Sequence, residues 1–98
     1  MEEKKEVQIQ IEIDDLTAQG VYSNLAIISH SPDEFVLDFI FIQPQVPKAK
    51  VRARIITSPQ HAKRFLSALQ DNIKKYEEKF GQIKTEPKQE LPKIGFVH

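Results

Sequence analysis

The sequence predicts an α+β protein, with a four-stranded antiparallel sheet in the first half of the chain followed by one long amphipathic helix. Two patterns carry this prediction. Hydrophobic and polar residues alternate in the first half, as in strands with one buried face. Beyond position 58, hydrophobic residues recur every three or four positions, as in a helix with one apolar stripe. The 98 residues suffice for one domain, predicted at residues 1–83, and the Pro-, Lys- and Glu-rich residues 84–98 are expected to form a mobile tail.

The four strands are predicted at about residues 6–13, 21–29, 35–42 and 50–57. The first shows the strictest alternation, with Val or Ile at every odd position. Gly20 is expected to interrupt regular structure before the second strand. Prolines at positions 44 and 47 form the loop before the fourth, because proline cannot donate a hydrogen bond within a sheet.

The connection between the second and third strands is predicted as a tight turn, Ser31-Pro32-Asp33-Glu34. Proline favours the second position of such a turn, and the serine hydroxyl can cap it.

The register of the last two strands follows from placing Asp38 opposite Arg54, since opposite charges favour cross-strand pairing. The remaining predicted pairs are Val36 with Ile56, Leu37 with Ile55, Phe39 with Ala53, Ile40 with Arg52 and Phe41 with Val51.

The long helix is predicted at about residues 59–80. Ser58 is a favoured N-cap, Pro59 suits the first helical position, and Gly81 stands where a glycine commonly ends a helix. The apolar stripe comprises Ala62, Leu66, Leu69, Ile73, Tyr76 and Phe80, widened by Phe65. We expect this stripe to pack against the sheet. Part of it would extend past the sheet, because a helix of this length spans roughly 33 Å and the strands roughly 30 Å or less.

Composition narrows the classes of function. The chain has 14 basic and 14 acidic residues and no cysteine, which excludes disulfides, cysteine nucleophiles and cysteine-based zinc sites. Its first residues lack the apolar core of a secretion signal, and no apolar run is long enough to cross a bilayer. We therefore expect a soluble, cytoplasmic protein.

Catalytic, metal-binding and cofactor-binding motifs are not found in the sequence. The histidines at positions 30, 61 and 98 do not have the spacing of metal ligands. The glycines at positions 20, 81 and 95 are too scattered to form a phosphate-binding loop. The expected function is non-enzymatic, with no cofactor.

The third strand is apolar on both faces, whereas one helix can cover only one side of a sheet. The uncovered face predicts self-association, since exposed apolar patches mark interfaces. The regular spacing in the helix offers a second route to a homodimer or tetramer. The predicted oligomer or partner interface comprises Val36, Asp38, Ile40, Ile42, Ile56, Leu69, Ile73 and Tyr76. Such a protein could also present a face or groove to another protein or an unfolded polypeptide.

Asp38 interrupts the apolar third strand and has two interpretations. It is a cross-strand partner for Arg54 or Arg52, because a buried charge requires pairing. Alternatively, it sets specificity within a subunit interface.

The alternative function is association with nucleic acid through a basic strand and the start of the helix. Its predicted anion contacts are Lys50, Arg52, Arg54, Lys63 and Arg64. The zero net charge disfavours this alternative. So does the lack of an aromatic pair for base stacking on the outer face of the sheet.

Several motifs resemble a family of bacterial and archaeal proteins of about 100 residues that is defined as a domain of unknown function. They are Tyr22-Ser23-Asn24, Ser-Pro-Asp-Glu-Phe-Val-Leu-Asp-Phe at 31–39, Ser-Pro-Gln-His-Ala-Lys-Arg at 58–64, Asn72, Tyr76-Glu77 and Phe80-Gly81. The resemblance covers about three quarters of the chain and implies no catalytic residues. In topology alone, the predicted fold is also similar to SecB-like export chaperones, which implies assembly through sheet and helix and a chaperone-like role.

Overall fold

The computed structural model describes residues 7–85 and has an α+β fold, as predicted. Its elements are α1 (Asp15–Ala18), β1 (Leu25–His30), β2 (Phe35–Ile42), β3 (Ala49–Thr57) and α2 (Pro59–Phe80). The strands form one antiparallel sheet in the order β1-β2-β3, so β2 is central. The chain divides into two compact units, one ending at Pro59 and the other beginning at Gln60.

The predicted first strand is wrong, because the sheet has three strands rather than four. Residues 7–14 have no regular secondary structure, and Val7, Ile9, Ile11 and Ile13 are 65 to 92% exposed. Alternation predicts how side chains sort once a strand is paired, but it does not supply the partner. Residue 6 lies outside the described part of the chain.

The chain reaches β1 through a short helix and a turn. Asp14 caps α1, since its side chain accepts a hydrogen bond from the Thr17 N–H at 2.6 Å. Gly20 follows with φ of 73°, a left-handed conformation that favours glycine. β1 therefore begins at Leu25, four residues later than predicted.

Asn24 holds the beginning of β1 against the end of β2. Its backbone N–H donates to the Ile40 carbonyl at 3.0 Å. Its side chain accepts from the Ile42 N–H and donates to the Ile42 carbonyl, both at 2.9 Å. The side-chain amide thus takes the place of a peptide group at this end of the sheet.

The bounds of β2 match the prediction, and β3 begins one residue earlier than predicted. The predicted turn between β1 and β2 is confirmed. The Ser31 hydroxyl accepts from the backbone N–H groups of Asp33 and Glu34, at 3.4 and 3.2 Å. The Ser31 N–H donates to the Glu34 carbonyl at 2.9 Å, which closes the turn.

The predicted β2–β3 register is confirmed from Val36 to Phe39, including Asp38 opposite Arg54. It is wrong beyond that point, because a bulge lies between Phe39 and Ile40. The observed pairs there are Ile40 with Val51 and Phe41 with Lys50, so Arg52 is the extra residue of β3.

The buried residues of the described chain all lie in β2. Leu37 is 7% exposed, Asp38 4% and Ile40 2%. As the central strand, β2 is flanked on both sides, whereas β1 and β3 each have a neighbour on one side only.

The helix α2 has the predicted bounds. Gly81 ends it with φ of 94°, and its N–H donates to the Glu77 carbonyl at 2.9 Å. The Glu77 carboxylate also accepts from the Ile83 N–H at 2.9 Å. The packing of this helix on the sheet stays a prediction.

Neither helix of the described residues is long and apolar enough to cross a membrane. Residues 84 and 85, the first of the predicted tail, have no regular secondary structure. The rest of that tail lies outside the described residues.

Candidate functional site

An ion pair joins the two strands at the middle of the sheet. Arg54 Nε lies 2.7 Å from Asp38 Oδ1, and Arg54 Nη2 lies 2.9 Å from Asp38 Oδ2. The acid side chain is 6% exposed and the arginine side chain 56%, so only the arginine reaches the surface. The interpretation of Asp38 as a cross-strand partner for Arg54 is confirmed.

The pairing changes the protonation equilibria of both groups. The hydrogen bonds from Arg54 lower the pKa of Asp38 below 3.8, because they stabilise the carboxylate; burial opposes this change. The pKa of Arg54 is raised by the same hydrogen bonds. Asp38 therefore acts as a fixed anion at neutral pH rather than as a proton donor.

The sheet residues of the predicted interface are only partly exposed. The prediction that Ile40 is exposed is wrong, because Ile40 is buried in β2 between Leu25 and Val51. Asp38 is buried as well. Of the other three, Val36 and Ile42 are half-buried and Ile56 is 57% exposed.

The helix contributes a larger apolar surface. No residue of α2 is buried. Six side chains of its stripe remain 39 to 66% exposed: Phe65, Leu66, Leu69, Ile73, Tyr76 and Phe80. The rings of Tyr76 and Phe80 lie 5.0 Å apart, and the Lys79 amine lies 5.3 Å from the Phe80 ring centre. We name these six side chains the helix stripe.

Because of the bulge, the predicted anion contacts of β3 do not all lie on the same face of the sheet. Opposed residues of neighbouring strands share a face, so Arg54 lies on the face of Asp38 and Lys50 on the face of Phe41. Lys50 and Arg52 line one open depression of about 510 Å³. Its other lining residues are Phe41, Gln43, Val46, Lys48 and Ala49. Lys63 and Arg64 lie near the start of α2.

His30 ends β1, where its ring stacks on Phe35 with centres 5.5 Å apart. Within residues 7–85, no three acidic or histidine side chains are grouped as metal ligands would be. The described surface is distinguished by exposed apolar residues rather than by a cluster of reactive groups.

The Asn24 side chain, which sequence reasoning missed, lies at the end of the sheet beside the Phe41 and Ile42 end of β2. The available signal was an asparagine just before an apolar run, since asparagine side chains often replace backbone partners at the ends of elements.

These features define a class of small α+β protein, with a three-stranded antiparallel sheet, a long helix and much exposed apolar surface. A family model described as a protein of unknown function (DUF3467) matches residues 1–85. The chain therefore belongs to the DUF3467 family, which confirms the resemblance seen in its sequence. Neither the search of curated proteins nor that of solved structures finds a match.

Proposed function

We propose that this protein is a non-enzymatic, homo-oligomeric binding protein, a dimer or tetramer that acts through protein–protein contacts. The supporting observation is the balance of buried and exposed apolar residues. Among the described residues, nineteen large hydrophobic side chains are exposed and only Leu37 and Ile40 are buried. Exposed apolar surface of this kind is typical of interfaces where it forms a patch, as it does along α2, where six exposed side chains recur every three or four residues.

The stability of a small domain supports the same proposal. A 60-residue domain already buries about 60% of the surface that its unfolded chain exposes, and even then it is marginally stable. Two buried hydrophobic residues are a small core for a folded sheet. A second copy would bury further apolar surface, at about 25 cal/mol per Å².

The helix stripe is the first contact that we assign to this association. Its spacing of three and four residues suits helix–helix packing. Of the predicted interface residues, Leu69, Ile73 and Tyr76 are 46, 39 and 50% exposed, so all three are available for contact.

The test compares two double variants of α2 by sedimentation velocity at micromolar concentration. L69E with I73E places two charges on the helix stripe, and we expect it to weaken association by about tenfold or more. S67E with Q70E adds the same number of charges outside the stripe and is the matched control. A wild-type protein that sediments only as an 11.3 kDa species would contradict the proposal.

A chaperone-like role belongs to the same proposal, since an oligomer with exposed apolar surface can bind unfolded polypeptide. Its readout is suppression of the aggregation of an unfolded client, measured by light scattering. Loss of suppression in L69E with I73E, and not in S67E with Q70E, would assign client binding to the helix stripe.

The open depression beside Phe41 supports a second candidate, association with nucleic acid. Lys48, Lys50 and Arg52 line it together with this aromatic ring, a combination that can contact phosphate and a stacked base. Binding of a single-stranded oligonucleotide would then weaken steeply with salt. Binding of an unfolded polypeptide through apolar contacts would not weaken in this way as the salt concentration rises.

A further inference from the structure

We infer that residues 7–13 of one copy add as a strand to the free edge of β3 in a second copy. We name these residues the N-terminal segment. This inference rests on the proposed self-association and specifies a contact within it. The helix stripe is a separate contact, so each can be tested without the other.

The N-terminal segment has the pattern of a strand but pairs with no strand among residues 7–85. Hydrophobic side chains occupy its odd positions, and Gln8, Gln10 and Glu12 occupy the even ones. Its hydrophobic side chains are 65 to 92% exposed. β-branched residues in strict alternation favour a pleated, half-buried strand, so this segment is suited to pairing that the described part of its own chain does not provide.

The sheet offers two outer edges, those of β1 and β3. Unpaired backbone groups along an edge can accept another strand. Seven residues of extended chain span roughly 23 Å, and the nine residues of β3 span roughly 30 Å. The N-terminal segment therefore fits along β3 within the length of that strand.

The distribution of charged residues favours the edge of β3 over that of β1 as the one that pairs with the N-terminal segment. The N-terminal segment contains the acidic residue Glu12 and no basic residue, and Asp14 and Asp15 follow it directly. β3 contains three basic residues and no acidic one, and Lys48 directly precedes it. β1 contains neither an acidic residue nor a lysine or arginine. Pairing the N-terminal segment with β3 brings opposite charges together, whereas two β3 edges facing each other would oppose like charges.

From Ala53 to Ile55, β3 has an apolar face and a charged face, as the N-terminal segment does; outside this stretch, Ile56 lies on the face of Arg54 and Lys50 on the face of Phe41. Ile55 and Ala53 lie on the apolar face with Leu37 and Phe39, and Ile55 is 49% exposed. Arg54 lies on the other face with a side chain that is 56% exposed. With its hydrophobic residues on the apolar face, the segment places its glutamines and Glu12 on the face of Arg54.

We assign a second copy of this chain as the partner, because each copy supplies both an N-terminal segment and an outer β3 edge. Two-fold symmetry then forms the contact twice, since the segment of each copy meets the β3 edge of the other. Pairing would cover hydrophobic side chains that are exposed in the single chain and would satisfy part of the open edge.

The direct test is isotope-filtered NMR on the full-length chain. A mixture of ¹⁵N,¹³C-labelled and unlabelled protein reports contacts between copies only. We expect intermolecular NOEs from the N-terminal segment to β3. Intermolecular NOEs from the segment only to β1 or α2, or protection of its amides from hydrogen exchange in a dilute monomer, would overturn the inference.

Two double variants provide an independent measurement by sedimentation. I9D with I11D places charges on the apolar face of the segment, and we expect it to weaken association by about tenfold or more. Q8D with Q10D adds equal charge on the polar face and is the control. Equal effects of the two pairs would contradict strand pairing in this orientation.

The outcomes separate this inference from the proposed function. An oligomer that lacks the NOEs and tolerates I9D with I11D refutes segment pairing and leaves self-association in place. A wild-type protein that is monomeric refutes both.

Discussion

Asp38 and Arg54 show how one pair of residues orders the centre of the sheet. Their two hydrogen bonds hold a planar guanidinium against a planar carboxylate. The acid is buried and its partner half-exposed, so the charge is paired where solvent is excluded. A lysine at position 54 could not reproduce this two-point contact.

The ion pair predicts how stability depends on pH. The folded pKa of Asp38 lies below the unfolded value of 3.8. The pair therefore contributes its full stability above about pH 4 and loses it as pH falls through the lowered folded pKa. We expect D38N to be less stable than the wild type at pH 7 and to show a smaller loss of stability below pH 4. Urea unfolding from pH 2.5 to 7 at fixed protein concentration measures both.

The control for this prediction is D33N, which removes a carboxylate from the exposed turn. Asp14, whose pKa is lowered by its hydrogen bonds with Thr17, titrates in the same range in every variant. A D38N profile parallel to that of the wild type would show that the ion pair is not the source of the pH dependence.

At the scale of elements, sequence signals were sufficient where they were local. β2 and α2 have the predicted bounds because alternation, helical spacing, Pro59 and Gly81 all lie within the elements themselves or at their ends. The first strand was wrong because pairing requires a partner elsewhere. The bulge at Arg52 was missed because local alternation continues through it, and α1, at four residues, is too short to show a period.

The beginning of β1 yields a second prediction. N24A removes two hydrogen bonds to the Ile42 backbone while keeping the chain length. Because the site is exposed, we expect a loss of about 1 kcal/mol in unfolding free energy and faster hydrogen exchange of the Ile42 amide. S23A is the adjacent control. Unchanged exchange at Ile42 in N24A would contradict the role of Asn24.

At the scale of the whole molecule, the chain combines a hydrogen-bonded sheet with little buried apolar surface among the described residues. The sequence predicted a surplus of exposed apolar residues, but it wrongly counted Ile40 as exposed and the odd-numbered residues of the first strand as buried. Burial depends on which strand is central and which segment finds a partner, and neither is a local property. Five residues were predicted as anion contacts, and of these only Lys50 and Arg52 share the depression.

The ion pair in β2 also bears on how the chain folds. A hairpin of β2 and β3 misaligned by one residue would put Asp38 opposite Ala53 or Ile55 and leave its carboxylate without the Arg54 partner. A buried, unpaired carboxylate is costly, so misaligned hairpins should reopen quickly instead of accumulating as kinetic traps. One acid in an apolar strand can thus shorten the search among registers that its hydrophobic neighbours alone would permit.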